Sequence, residues 1–165
     1  ELPLRVTHND TKLNNVMIDD RTKEAVCVID LDTVMPGLSV FDFGDSIRFG
    51  ASTALEDEQD LSKVSLSLEL FEVYARGFLE GCGGRLTEKE ISMLSYGAWL
   101  MTIECGMRFL TDFLEGDWYF RVAREGHNLD RCRTQLKLAA DMEAHACQMK
   151  EIIQKIAVAI RTDLR

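Results

Sequence analysis

Val6-Thr7-His8-Asn9-Asp10-Thr11-Lys12-Leu13-Asn14-Asn15-Val16-Met17-Ile18 opens near the start of the 165-residue chain, and Ala25-Val26-Cys27-Val28-Ile29-Asp30-Leu31-Asp32 follows after a charged turn. The first segment spells His-x-Asp-x-x-x-x-Asn through His8, Asp10 and Asn15. The second is an apolar, β-prone run that ends in acids. Residues 4–7, 15–18 and 25–29 read as short strands, and Asp19 to Glu24 reads as the polar loop of a hairpin joining the last two. This arrangement would bring a loop carboxylate, a loop amide and a strand-end carboxylate into one hollow.

Such a set suits phosphoryl transfer. That reaction needs charge neutralisation, a positioned acceptor and a base for the acceptor's proton. Asp10 is the expected base. Asn15 and Asp30 are the expected Mg²⁺ ligands, because the hard cation prefers oxygen donors and leaves positions for phosphate and water. Asp32, two residues on, would face the same side as Asp30 in an extended chain and is a further candidate metal ligand. Lys12 places an ammonium beside the base, where it can offset charge in the transition state. His8 is read as a structural imidazole that fixes the loop, and Asp42 and Asp45 as loop-stabilising carboxylates.

Further along, Pro36-Gly37 suits the centre of a type II turn, and Phe41-Asp42-Phe43-Gly44-Asp45 reads as a loop entering a helix near Ser46. After Asp57, Leu61, Val64, Leu68, Phe71 and Phe78 follow helical spacing to about Leu79, where Gly81-Cys82-Gly83-Gly84 stops the helix. Thr87-Glu88-Lys89-Glu90 is a capping box. It opens a helix to about Leu114, apolar on most sides and expected at the centre of the core. Gly116-Asp117 breaks it. A last long helix is expected to about Arg161, with Asn128 as its N-cap. The expected fold class is mainly α with a small β-hairpin, and nothing suggests repeated β-α-β units.

Composition narrows the partners. A formal net charge of −9 leaves no basic stripe for nucleic acid or for an anionic membrane surface. No apolar run approaches the length of a spanning helix. Cys27, Cys82, Cys105, Cys132 and Cys147 form no C-x-x-C pair and read as buried, reduced thiols of a cytoplasmic protein.

The segment His8 to Asn15, with Val28-Ile29-Asp30 and Asp42-Phe43-Gly44-Asp45 behind it, resembles the aminoglycoside phosphotransferase and choline kinase superfamily. The runs His8 to Met17 and Ile29 to Gly37 are similar to its N-acetylhexosamine 1-kinase branch. So are Arg108-Phe109-Leu110-Thr111-Asp112, Gly116-Asp117 with Tyr119-Phe120, and Gly126-His127-Asn128-Leu129-Asp130-Arg131. The resemblance implies the C-terminal, helical lobe of a protein-kinase-like fold over residues 1–165. Residues 1–50 would carry the catalytic loop and metal-binding hairpin, and residues 51–165 a helical substrate subdomain. It also implies Mg²⁺- and ATP-dependent phosphorylation of the anomeric hydroxyl of GlcNAc or GalNAc, with Asp10 as base, Asn15 and Asp30 on Mg²⁺, and Arg108 and Tyr119 on the sugar. Trp118 is a further candidate for stacking on a sugar face. Taken alone, Arg108 reads as a solvated helix residue and Tyr119 as a core aromatic.

The family's N-terminal lobe, with its glycine-rich loop and phosphate-binding lysine, has no counterpart in the sequence. The chain is therefore expected to be a truncated polypeptide that folds but is inactive alone, lacks that lobe in cis, and self-associates through the apolar surface the lobe would cover. Other hydroxyl acceptors (aminoglycoside, choline, homoserine) stay open, as does a non-catalytic kinase-like binding module. A remoter alternative is a haloacid-dehalogenase-like phosphatase, with Asp30 as nucleophile and Asp32 as acid and base.

Overall fold

The structure, a computed structural model, describes residues 1–163. Four short strands come first: β1 (Arg5–Thr7), β2 (Val16–Ile18), β3 (Ala25–Val28) and β4 (Met35–Gly37). Five helices follow: α1 (Ser39–Gly50), α2 (Leu68–Gly81), α3 (Glu88–Glu115), α4 (His127–Ala144) and α5 (Ala146–Asp163). The fold is thus mainly helical with a small β portion, as expected of the helical lobe of a kinase-like fold.

β2 and β3 form the anticipated antiparallel hairpin, with Val16 opposite Val28 and a register irregularity between Met17 and Ile18. Its turn is fixed by Asp19, whose Oδ1 accepts from the backbone N–H groups of Arg21 (2.9 Å) and Thr22 (2.7 Å). β1 pairs antiparallel with β4, Arg5 opposite Gly37 and Val6 opposite Pro36. Pro36-Gly37 is therefore strand rather than turn. Pro is tolerated there because β4 is an edge strand. All pairings among the described residues are antiparallel, which excludes the parallel β-α units that the phosphatase alternative requires.

The helical core joins α1 to α5. Phe43, Ile47, Phe71, Leu94, Leu138, Met142, Met149, Ile153 and Ile156 are its fully enclosed side chains. α3 lies at its centre, packed on α1, α4 and α5. Its capping box is present in full: Thr87 Oγ1 accepts from Glu90 N, and Glu90 accepts from Thr87 N. Not every apolar position of this helix is enclosed: Met107 and Leu110 are exposed.

Four boundaries differ from the sequence expectation. The segment read as a loop before Ser46 is already helix from Ser39. Helix α2 begins only at Leu68, capped by Ser67, while Leu61–Lys63 is a separate 3₁₀ turn. The N-cap of α4 is Gly126, at φ 69°, and Asn128 is buried inside the helix. The last helix is two, broken at His145, so that Met149, Ile153 and Ile156 fold back onto α2 and α3.

Of the five cysteines, Cys105 and Cys132 are buried, and burial pushes the Cys105 thiol up to about 12. Cys27 and Cys147 are exposed and Cys82 is half-buried, so the buried-thiol expectation holds for two of them only. No described helix is long and apolar enough to cross a membrane. The apolar side chains left exposed are concentrated in the strand region, including Val6, Val26, Leu31 and Met35.

Candidate active site

The loop between β1 and β2 is held from below by the first turn of α1. The Asp42 carboxylate accepts from the backbone N–H groups of His8 (2.8 Å) and Asn9 (2.8 Å). Thr11 Oγ1 donates to the Asp42 carbonyl at 2.5 Å, and Ser46 Oγ donates to the same carbonyl at 2.9 Å. Asn9 sits at φ 62°, in the left-handed region that Asn tolerates better than most residues. Its amide donates to Thr33 O at 3.0 Å. His8 Nε2 lies 3.0 Å from the Ile29 carbonyl. A carbonyl only accepts, so Nε2 carries the proton, and the ring ties the loop to the end of β3.

This clamp presents Asp10. Its Oδ2 accepts from Lys12 Nζ at 2.7 Å and from Asn15 Nδ2 at 2.8 Å. The Asn15 amide also donates to the Asp10 carbonyl at 2.8 Å. Partial burial opposes ionisation of Asp10, but the Lys12 ammonium and the Asn15 amide outweigh it and hold the carboxyl below its ordinary value.

Asp30 follows β3 at φ 63° and ψ 54°. The backbone of the preceding residue bonds that of Asn15, with Ile29 N donating to Asn15 O at 2.9 Å. The hairpin thus brings the main chains at Asn15 and Asp30 side by side. Asp32 lies in a 3₁₀ turn, Leu31–Thr33, so the extended-chain argument that gave it the same face as Asp30 does not apply. Both acids are exposed. Among the described residues no three His, Cys, Asp or Glu side chains gather as a metal cage. The donors that fit Mg²⁺ are one amide oxygen and one carboxylate, a set that leaves most of the coordination shell to phosphate and water.

Asp10 and Lys12 line an open cleft of about 470 Å³. Arg108 of α3 and Tyr119, just beyond its end, line the same cleft. The Arg108 guanidinium lies over the rings of Tyr119 (5.6 Å) and Phe120 (5.4 Å). Tyr119 is exposed, not a core aromatic, and Arg108 faces the cleft rather than open solvent alone. Trp118 is 87% exposed and does not line the cleft, so the structure leaves it apart from the others.

Sequence reasoning missed the anchor of this wall. Asp112, buried, accepts from Tyr119 N (2.7 Å), Phe120 N (2.9 Å) and Asn128 Nδ2 (2.8 Å). The signal was there: an acid four residues before the helix-ending Gly116 can cap the turn that follows. It also missed the ion pairs that line the cleft. Arg48 Nη2 meets Asp45 Oδ1 at 2.8 Å and Arg48 Nη1 meets Glu56 Oε1 at 2.7 Å.

Residues 1–76 match the phosphotransferase enzyme family. The matched segment holds the whole clamp, Asp10, Lys12, Asn15, Asp30 and Asp45, and runs into α2. The match covers somewhat less than half of the chain and is a likeness to a phosphotransferase family over that segment. Arg108 and Tyr119 lie beyond the phosphotransferase-family segment.

Proposed function

We propose that this chain supplies the catalytic and acceptor-binding lobe of a small-molecule kinase that uses ATP and Mg²⁺ to phosphorylate a sugar hydroxyl. The anomeric hydroxyl of N-acetylglucosamine or N-acetylgalactosamine is the acceptor we favour. The observation that carries the reading is the shared cleft, with Asp10 and Lys12 on one wall and Arg108 with Tyr119 on the other. A base, a cation, a guanidinium fork and a phenol meet around a space large enough for a monosaccharide.

In this mechanism Asp10 accepts a hydrogen bond from the attacking hydroxyl and takes its proton as the oxygen reaches phosphorus. While Lys12 pairs with it, Asp10 is a poor base. Turning the ammonium toward the incoming phosphate restores the basicity of Asp10 and neutralises the transferring group in one movement. Asn15 positions Asp10 through Nδ2 and, with Asp30, would hold Mg²⁺, whose chemistry is to neutralise phosphate charge and orient the nucleotide. His8 and Asp42 keep the loop in place and take no proton. Arg108 and Tyr119 would bind hydroxyl and acetamide oxygens. The exposed apolar side chains around the strands support a covering nucleotide-binding lobe, and self-association where that face is bare.

The test is the full-length protein with Mg-ATP and a panel of acceptors, read by ³¹P NMR. A sugar 1-phosphate from an N-acetylhexosamine is expected. Phosphocholine, phosphohomoserine or a phosphorylated aminoglycoside would reassign the acceptor. Nucleotide binding with no phosphorylated product would make the protein a non-catalytic module.

A further inference from the structure

Among the described residues, four buried side-chain atoms that should hydrogen-bond have no partner: His8 Nδ1, Asp45 Oδ2, Arg131 Nε and Gln135 Oε1. Buried polar atoms are nearly always paired, so each orphan marks a place where a polar group is wanted. Three of the four gather around the Arg48–Glu56 ion pair. Asp45 is 7% exposed and spends Oδ1 on Arg48 Nε and Nη2, leaving Oδ2 free. Arg131 Nε lies 3.9 Å from Glu56 Oε2, too far for a hydrogen bond. Gln135, 2% exposed, lines an adjoining cavity of about 320 Å³ that shares Arg48, Phe49 and Glu56 with the main cleft.

Asp45 and Arg131 themselves line the cleft that holds Asp10. They are also close to the loop in the chain: Asp45 stands one residue before Ser46, whose hydroxyl donates to Thr11 O at 3.3 Å. Two residues that line the cleft therefore each carry a buried polar atom with no partner, an acceptor on Asp45 and a donor on Arg131. Its charge is unusual for this protein. The chain carries −9 overall, yet the cleft sets Lys12, Arg48, Arg108, Arg121 and Arg131 against Asp10, Asp45, Glu56 and Glu104. Arg108 lies over Tyr119 and Phe120, and Arg131 lies over Phe109 at 5.4 Å.

We propose that Asp45 and Arg131 form a specificity subsite that reads the hydroxyls of an uncharged, polyhydroxylated ring, one hydroxyl donating to Asp45 Oδ2 and one accepting from Arg131 Nε. This rests on the phosphotransfer reading of the same cleft. The subsite favours a neutral sugar or cyclitol over choline, whose trimethylammonium group can neither donate to Asp45 Oδ2 nor accept from Arg131 Nε. It makes Asp45 a substrate contact rather than only a partner of Arg48.

The experiment is isothermal titration of the full-length protein with N-acetylglucosamine, its deoxy analogues and choline. Asp45→Asn keeps the acceptor toward Arg48 and turns the free oxygen into a donor. It should weaken sugar binding by about tenfold or more. Arg131→Lys keeps the charge, removes Nε and should do the same. If either variant fails to fold by circular dichroism, the deoxy series on the unmodified protein carries the test, with at least one ring hydroxyl worth about tenfold. Choline binding as tight as sugar binding overturns the subsite. So does sugar affinity in Asp45→Asn and across the deoxy series that stays within about twofold. If sugar is phosphorylated with unchanged KM in Asp45→Asn, the subsite falls and the phosphotransfer reading stands. If sugar binds through Asp45 but no acceptor is ever phosphorylated, the reading falls and the subsite stands.

Discussion

Asp10 is held by two donors of different kinds, an ammonium at 2.7 Å and an amide at 2.8 Å. The amide orients it and the ammonium sets its charge. In the proposed mechanism, replacing Asp10 by Asn keeps the shape and removes the base. The expected loss in kcat is roughly 10²–10⁴-fold, with KM for the acceptor nearly unchanged, measured by initial rates on the full-length protein. An equal collapse in acceptor affinity would mean that Asp10 binds rather than reacts. Lys12→Met tests the other donor. Burial alone would raise the Asp10 carboxyl; Lys12 is the largest influence lowering it. Without the ammonium the carboxyl should titrate at higher pH, so the acidic limb of the kcat/KM profile should move up. A limb that stays in place in Lys12→Met would show that the pair does not set the basicity of Asp10.

At the scale of elements, the clamp works because α1 lies close against α3. A Cβ added at Gly97 would stand 2.4 Å from the Val40 carbonyl oxygen, and one added at Gly44 would stand 2.4 Å from the Gly97 carbonyl oxygen. Both obstacles are backbone, so neither helix can yield locally. Gly97→Ala should cost about 1–3 kcal/mol of stability in urea unfolding. It should also lower kcat, because pushing α1 outward moves Asp42 and with it the loop. Unchanged stability and rate would mean that the helices separate freely. This packing explains what the sequence hid. Phe41 to Asp45 looks like a loop because Gly44 and two Asp residues are poor helix formers, and the helix is imposed by its partner. The break at His145 has no Gly or Pro to announce it; it follows from where Met142 and Met149 must point. The capping box at Thr87 and the hairpin turn at Asp19 were legible because each is set by residues within a few positions of one another.

Across the whole molecule, what could be read in advance was the half of the site that is contiguous in the chain. His8, Asp10, Asn15 and Asp42 lie within 35 residues, so the loop they build could be read from their spacing. Arg108 and Tyr119 were reached only through resemblance, and Asp112, Arg48 and Arg131 were given no role, because their meeting depends on how α1, α3 and α4 cross. Glu90 shows the same gap. Its capping role was local and visible. Its larger role is not: the fully buried carboxylate also accepts from Arg5 Nε (3.0 Å) and Nη2 (2.8 Å) of β1 and from Ser39 Oγ (2.8 Å) at the start of α1. One side chain therefore joins the strand that leads into the loop, the helix that clamps it and the central helix. The Arg5 hydrogen bonds lead, burial opposes them, and the Thr87 and Ser39 donors add, so that the Glu90 carboxyl is lowered to about 2 from its ordinary 4.5. Because the folded value is depressed, the stabilisation is complete above pH 4.5 and is lost as pH falls toward 2. The whole loss is on the order of 3 kcal/mol. Urea unfolding at stepped pH should show the wild-type free energy falling through this window more steeply than that of Glu90→Gln, whose own stability at neutral pH should already be reduced. Parallel pH profiles for the two proteins would show that the carboxylate does not tie the three elements together by its charge.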